Sequence, residues 1–215
     1  MRANRTRTPM GILAVCVVLA GGASRGDVCT WADGWDMVPS SSADAVVIAS
    51  GGNLVWDAAL PATVASWTQA AGYAGTVTVQ TVYGTAGFTN FTVNGNATLL
   101  GGAWTHAENT TAEANRLCVT VNGDLFVSNA VLHADARGYN AVQGPGKGPY
   151  LMGGAHGGAA TRYDFISVND ATYGSIHSPT NLGSGGAGAK GGGAVRLNVT
   201  GITTLAEGSR ISARG

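Results

Sequence analysis

Apolar and polar residues alternate in short runs along most of this chain, and glycine or Asn-Gly closes each run. In GTVTVQTVYG (75–84), Val77 and Val79 fall on one face and Thr76, Thr78 and Gln80 on the other. A period of two is what a half-buried strand produces. AVVIASGGNLVWD (45–57) reads as strand, glycine turn, strand. Only ALPATVASWTQAA (59–71) has a helical look, and the pattern on both sides of it favours strands. The expected class is all-β.

One template recurs. FTVNGNATLLGGAW starts at Phe91, VTVNGDLFVSNAVLHADARG at Val119 and LNVTGITTLAEGSRISARG at Leu197. Placing Gly123 on Gly201 puts Val119 and Val121 on Leu197 and Val199, and Leu125 and Val127 on Thr203 and Leu205. Leu132, Ala134 and Gly138 then meet Ile211, Ala213 and Gly215. The copy around Gly95 follows in its first half. A row of Val, Leu and Ile in one coil cannot be buried by that coil alone, whereas stacked coils join such rows into a continuous core. The repeat therefore predicts a right-handed parallel β-helix. Asn94-Gly95 and Asn122-Gly123 are also hairpin-turn signals, so an antiparallel β-sandwich stays open as the alternative.

Glycine accounts for 34 of the 215 residues, and much of it lies in residues 139–193. That stretch is far longer than a corner, and long excursions from compact domains often carry function. It is expected to be a lateral protrusion of backbone packed on backbone, with a short strand in TRYDFISVN (161–169). Loops held on rigid scaffolds often make contacts, which nominates Tyr150, His156, Tyr173 and His177 as ligand-binding residues.

The first residues change the picture of where the protein acts. Arg2, Arg5 and Arg7 precede an apolar run, MGILAVCVVLAGG (10–22), and small residues follow at Ala23, Ser24 and Gly26. This is the pattern of a secretory signal over residues 1–26, and the run is short for a membrane span. The expected product is exported, secreted or held at the cell surface, with no span left after cleavage. Residues 27–44, with Trp31 and Trp35, are expected to cap a solenoid domain over 45–215. Cleavage leaves Cys29 and Cys118 as a disulfide candidate, the alternative being two unpaired thiols. Alternation puts Cys118 on the outer face with Thr120.

Charge and motifs exclude more than they nominate. Lys+Arg and Asp+Glu are 12 each, so no basic surface invites nucleic acid. GPGKGP (144–149) and GAGAKGG (186–192) lack the spacing and following helix of a phosphate loop. His106, His133, His156 and His177 form no ligand pair and read as solvent-facing or corner residues. No metal, cofactor or catalytic residue is expected. HADARG does place His133, Asp135 and Arg137 on one face, an alternative polar site. The matching Arg210, Ser212 and Arg214 carry no carboxylate, while glycoside cleavage needs two. Thr76 and Thr78 hint at a threonine array, but neighbouring repeats do not reproduce the pair.

Tyr173-Gly174-Ser175, Pro179, LGSGG (182–186) and GGGAVRLNVTG (191–201) together resemble a glycine-rich module. Such modules occur in very large secreted bacterial β-helix proteins of the adhesin-like or autotransporter-passenger-like kind. Trp31, Trp35, ADAVVIASGG (43–52) and ATVASWTQAAGYAGTVTV (62–79) resemble how such regions begin. The resemblance implies a parallel β-helix with a structural or adhesive role. The expected partners are a surface polysaccharide, a matrix or other copies of itself. The tryptophan-rich opening is shorter than in those proteins and the chain stops where another coil would start, which suggests a short member or a fragment with an open edge. The competing expectation is a polysaccharide-active β-helix enzyme or a carbohydrate-binding module.

Overall fold

Valine, threonine and aromatic residues at alternate positions suit a pleated surface covered on one side, and they form strands throughout. The computed structural model describes residues 26–149, 151–161, 168–169, 171–175, 177 and 179–215. Residues 1–25, nearly all of the expected signal segment 1–26, lie outside them.

The chain visits three sheets in rotation. After β1 (Val28–Ala32), one turn runs through β2 (Ala45–Ser50), β3 (Leu54–Trp56) and β4 (Thr63–Val64). The next two run through β5 (Ser66–Gln69), β6 (Thr76–Val79) and β7 (Phe91–Val93), then β8 (Ala97–Leu99), β9 (Ala103–Thr105) and β10 (Leu117–Val121). Then come β11 (Leu125–Val127) and β12 (Val131–His133), followed by an excursion holding β13 (Ala160–Thr161) and β14 (Val168–Asn169). The chain returns in β15 (Val195–Val199) and ends through β16 (Thr203–Leu205) and β17 (Arg210–Ser212). Sheet 1 is ordered β1-β2-β5-β8-β11-β16, sheet 2 β3-β6-β9-β12-β17 and sheet 3 β4-β7-β10-β15.

Every pairing in these three sheets is parallel. The described residues contain no helix. An all-β chain of parallel sheets visited in this order is consistent with the β-solenoid class and leaves no place for the antiparallel sandwich. The helical-looking 59–71 stretch is split between β4 and β5. Among the described strands only β13 and β14 pair antiparallel, beside isolated antiparallel bridges at Trp31–Trp35 and Val82–Asn115; residues 162–167 of the strand expected over 161–169 lie outside the described residues.

The repeat alignment is the register itself. Val119 and Val121 pair with Leu197 and Val199, Leu125 and Val127 with Thr203 and Leu205, and Leu132 with Ile211. Val119, Val121, Leu125, Val127 and Leu132 lie in a single core, Leu197 and Val199 pack partly buried against it, and Thr203, Leu205 and Ile211 of the last coil are exposed. Each fully buried side chain of this size contributes about 1.5–3 kcal/mol. At its centre Trp67 stands edge-on to Trp56, Phe91 and Trp104, with centroids 5.2, 5.6 and 5.3 Å away. At the end where the chain enters, Trp35 packs against Trp56 at 6.0 Å and against Trp31 at 5.4 Å.

The corners from sheet 3 to sheet 1 explain the recurring Asn-Gly. They are not hairpins. Gly95 and Gly123 are absent from the residues with positive φ. A Cβ on Gly123 would press on the Gly95 backbone, and one on Gly201 on the Gly123 carbonyl. Glycine is needed here because successive coils approach closely. The flanking Asx side chains lock the stack: the Asp124 N–H donates to Asn96 Oδ1 at 2.9 Å and the Ile202 N–H to Asp124 Oδ1 at 2.8 Å. Positive φ is used at sheet 1 to sheet 2 corners, as at Gly102 (φ 66), where L side chains rarely fit.

The corners from sheet 2 to sheet 3 grow in the opposite way. Residues 57–62, 80–90, 106–116 and 134–194 leave the coils at the same edge, and the last three bond to one another. The Tyr83 N–H donates to Ala114 O, Arg116 N–H to Thr81 O and Asn140 N–H to Thr110 O. Together they build a lateral lobe.

Candidate functional site

The lobe carries the candidate site, and glycine is what lets it pack. Residues 183–187 exchange backbone hydrogen bonds with four other stretches: Gly192, residues 139–143, Gly148 and Met152. A strand in a sheet has two neighbours at most, so this is a three-dimensional lattice of extended chains. A Cβ on Gly191 would overlap the Gly183 carbonyl, and one on Gly185 the Asn140 carbonyl. Few side chains are buried in the glycine-rich part of the lobe: among the described residues of 138–193 they are Tyr139, Ala155, Asn169, Leu182 and Ser184. Asn169 Nδ2 donates to the carbonyls of Gly146, Lys147 and Gly153 at 3.0, 3.1 and 3.2 Å.

Side chains of the smaller corners fasten this lattice to the coils. Asn109 is 2 % exposed. Its Nδ2 donates to Asn115 O and Arg137 O, and its Oδ1 accepts from the Ala114 and Asn115 N–H groups. Glu113 accepts from Asn181 Nδ2 and the Leu182 N–H. The Tyr83 hydroxyl donates to Thr180 O at 2.8 Å. The Arg116 guanidinium lies 4.8 Å from the Tyr83 ring centroid.

Of the four residues nominated on the protrusion, two meet. His156 and Tyr173 stand edge to face at 4.7 Å, and with Gly157, Thr172, Gly174 and Ser175 they line a cleft of about 320 Å³. The Tyr173 hydroxyl donates to Leu182 O and accepts from Ser184 Oγ, which fixes the ring. Burial pushes its pKa up. His156 Nε2 is buried with no hydrogen-bond partner among the described residues, the condition of a polar atom that a ligand can satisfy. The His156 ring also borders a second cleft of about 290 Å³ with Pro179, Asn181, Gly183 and Gly193. His177 is exposed and lines neither cleft. Tyr150 lies outside the described residues.

The alternative polar face does not converge. Asp135 accepts from Ser212 Oγ and the Arg214 N–H and lies 3.6 Å from Arg210. Arg137 turns instead to Glu108 at 3.4 Å, and Glu108 is also held by Lys190 at 2.7 Å. Partial burial works to raise the Asp135 carboxyl, but the bonds from Arg214 and Ser212 outweigh it and hold the carboxyl below its usual range. The Lys190 ammonium lowers Glu108. A general acid for glycoside cleavage needs the opposite shift. His133 is half-buried, and that burial lowers its pKa.

Two further expectations are corrected. Cys29 and Cys118 are free and buried. Cys29 points into the core from β1 beside Val46, while Cys118 sits on the outer face of β10 in another sheet, its thiol toward Asn90 Oδ1 at 3.4 Å. Coil stacking separates them, so the disulfide is not formed. His106, expected to face solvent or sit at a corner, opens the corner 106–116 but is fully buried. Its Nδ1 donates to Ala107 O at 2.7 Å and its Nε2 accepts from the Ala194 N–H at 3.3 Å. Burial lowers its pKa to about 4, and the neutral ring ties the returning end of the excursion to the coils. Polar surroundings in the sequence, THAEN, conceal that burial; the chain spacing that brings Gly193 over the ring has no local signal.

Among the described residues no group of three His, Cys, Asp or Glu side chains is placed to hold a metal ion. No described helix is long and apolar enough to cross a membrane. No protein-family model, curated protein or solved structure matches the chain significantly.

Proposed function

We propose that this protein is an exported, surface-associated adhesive β-solenoid, a stiff rod that presents the glycine lobe to a neutral surface polymer or matrix. It is of the adhesin-like or autotransporter-passenger-like kind. The coils wind right-handed, the hand that twisted strands favour for parallel crossovers. The observation that carries the reading is the cleft where His156 and Tyr173 meet, with its buried, unpartnered Nε2. Among the described residues no charged side chain lines that cleft, so hydroxyl-rich, uncharged ligands suit it better than polyanions.

The rest of the molecule supports the division of labour. A side-chain core keeps the rod rigid, and rigid scaffolds let loops hold binding groups at fixed positions. The test is a binding screen of the purified protein against arrayed neutral and acidic glycans, with His156→Ala beside it. Binding to neutral glycans that falls at least tenfold in His156→Ala, with an unchanged circular dichroism spectrum, is expected. Binding that is unaffected by the substitution, or no binding to any glycan, sinks the reading.

A further inference from the structure

A second surface, on the opposite side of the chemistry from the lobe, carries an inference of its own. The outer face of sheet 1 has one row running across all its strands: Thr30, Val47, Thr68, Thr98, Phe126 and Thr204. Small β-branched side chains occupy five of these positions. The sixth is a phenyl ring, 37 % exposed, between Thr98 and Thr204. A lone exposed apolar residue needs no explanation, but this one has organised neighbours.

Those neighbours are the Asx residues of the adjoining corner. Asn96 and Asp124 are exposed, yet each is held by one oxygen, Asn96 Oδ1 by the Asp124 N–H and Asp124 Oδ1 by the Ile202 N–H. Fixing one oxygen of a planar group fixes the other atom. Asn96 Nδ2, a donor, and Asp124 Oδ2, an acceptor, are engaged by no other described residue and stand one coil apart, about 4.8 Å in a parallel sheet. With Thr98, Phe126, Ile202 and Thr204 they line an open groove of about 250 Å³. The groove offers an aromatic ring, an oriented donor, an oriented acceptor and no basic side chain.

The geometry points to a carbohydrate subsite on sheet 1, in which a neutral pyranose stacks its apolar face on Phe126 and sets adjacent hydroxyls against Asp124 Oδ2 and Asn96 Nδ2. Aromatic faces hold C–H-rich sugar faces while a carboxylate and an amide bond the hydroxyls. The repulsion of Asp124 disfavours acidic sugars. The groove suits a single ring, smaller than a typical drug-sized pocket, so a polymer would run along the strand row. This subsite does not rest on the lobe.

Affinity electrophoresis of the full chain tests it, in gels containing soluble β-1,3-glucan, galactomannan or xyloglucan, with alginate as the acidic control. Retardation by at least one neutral polymer and none by alginate is expected. Phe126→Ala and Phe126→Leu should each weaken it at least tenfold, and Phe126→Tyr should preserve it. Because Phe126 points away from the core, these variants should keep the wild-type melting curve. The proposal is overturned if no neutral polymer retards the protein, if alginate retards it equally, or if Phe126→Leu binds as wild type. It is overturned too if Phe126→Ala alters only self-association by sedimentation. Binding lost in His156→Ala but kept in Phe126→Ala would sink this subsite and leave the lobe reading standing; the converse result would do the reverse.

Discussion

The coils and the lobe bury backbone by different means, although they are parts of one chain. In the coils, each strand inside a sheet has two parallel neighbours and the space between sheets is filled by side chains such as Trp56, Trp67, Leu99 and Leu132. In the lobe, the space between chains is filled by other chains. Hydrogen bonds run from residues 183–187 to four surrounding stretches, and glycine recurs because neighbouring carbonyls stand where a Cβ would be. A core of side chains tolerates exchange at constant volume. A lattice of backbones tolerates no added methyl group at its contacts. The lobe therefore gains a shape with little hydrophobic burial and depends on the coils, through Asn109, Glu113 and His106, for its anchorage.

The largest test of this contrast falls on the coils. Trp67→Ala removes a fully buried ring that touches Trp56, Phe91 and Trp104 and should cost about 3–5 kcal/mol. Chemical denaturation should show coils and lobe lost together; a lobe that stays protected from hydrogen exchange while the coils open would break the claim of dependence. Gly191→Ala should cost about 3 kcal/mol by overpacking, and its effect should be local. Faster exchange of amides in 138–193 with coil amides unchanged is expected. Equal loss everywhere would show that the two regions form one cooperative unit.

A pH series sharpens the anchorage. His106 is held neutral with a folded pKa of about 4 against an ordinary 6.5, so the unfolded chain binds the extra proton between those values. Its contribution is complete above pH 6.5 and is lost as pH falls toward 4, on the order of 2–3 kcal/mol. His133, also lowered by burial, acts in the same direction. Asp44 is lowered to about 2, chiefly by the Ser40 N–H, and contributes above its ordinary pKa, with loss only as pH falls from about 4 toward 2. Melting temperatures of wild type and His106→Asn should converge as pH falls from 6.5 to 4; parallel curves would remove His106 from the account. The smallest effect is at the corners. Asp124→Ala deletes one cross-coil acceptor and should cost about 1 kcal/mol, read as a small shift of the denaturation midpoint.

Much of the coil was legible because its determinants are local. Alternation marks the inward Val119, Val121 and Leu125, and the match of Gly123 to Gly201 is the register itself. The lobe was legible as backbone packed on backbone, and His156 with Tyr173 as candidates, but not as neighbours across a cleft. The Asn-Gly pairs kept the hairpin alternative open, because the dipeptide announces a need for glycine without saying whether a turn or a close neighbour imposes it.

By itself, then, the sequence determined strand content, the inward rows and the unit that repeats, since each depends on residues a few positions apart. Tertiary structure alone decided the rest. It buried His106 beneath Gly193, parted Cys29 from Cys118, and set Phe126 in a row of threonines beside two locked Asx groups. Those outcomes depend on which residues of different coils come side by side. Corner length sets that, and the corners of this chain run from the single residue Ala65 between β4 and β5 to the whole of 134–194.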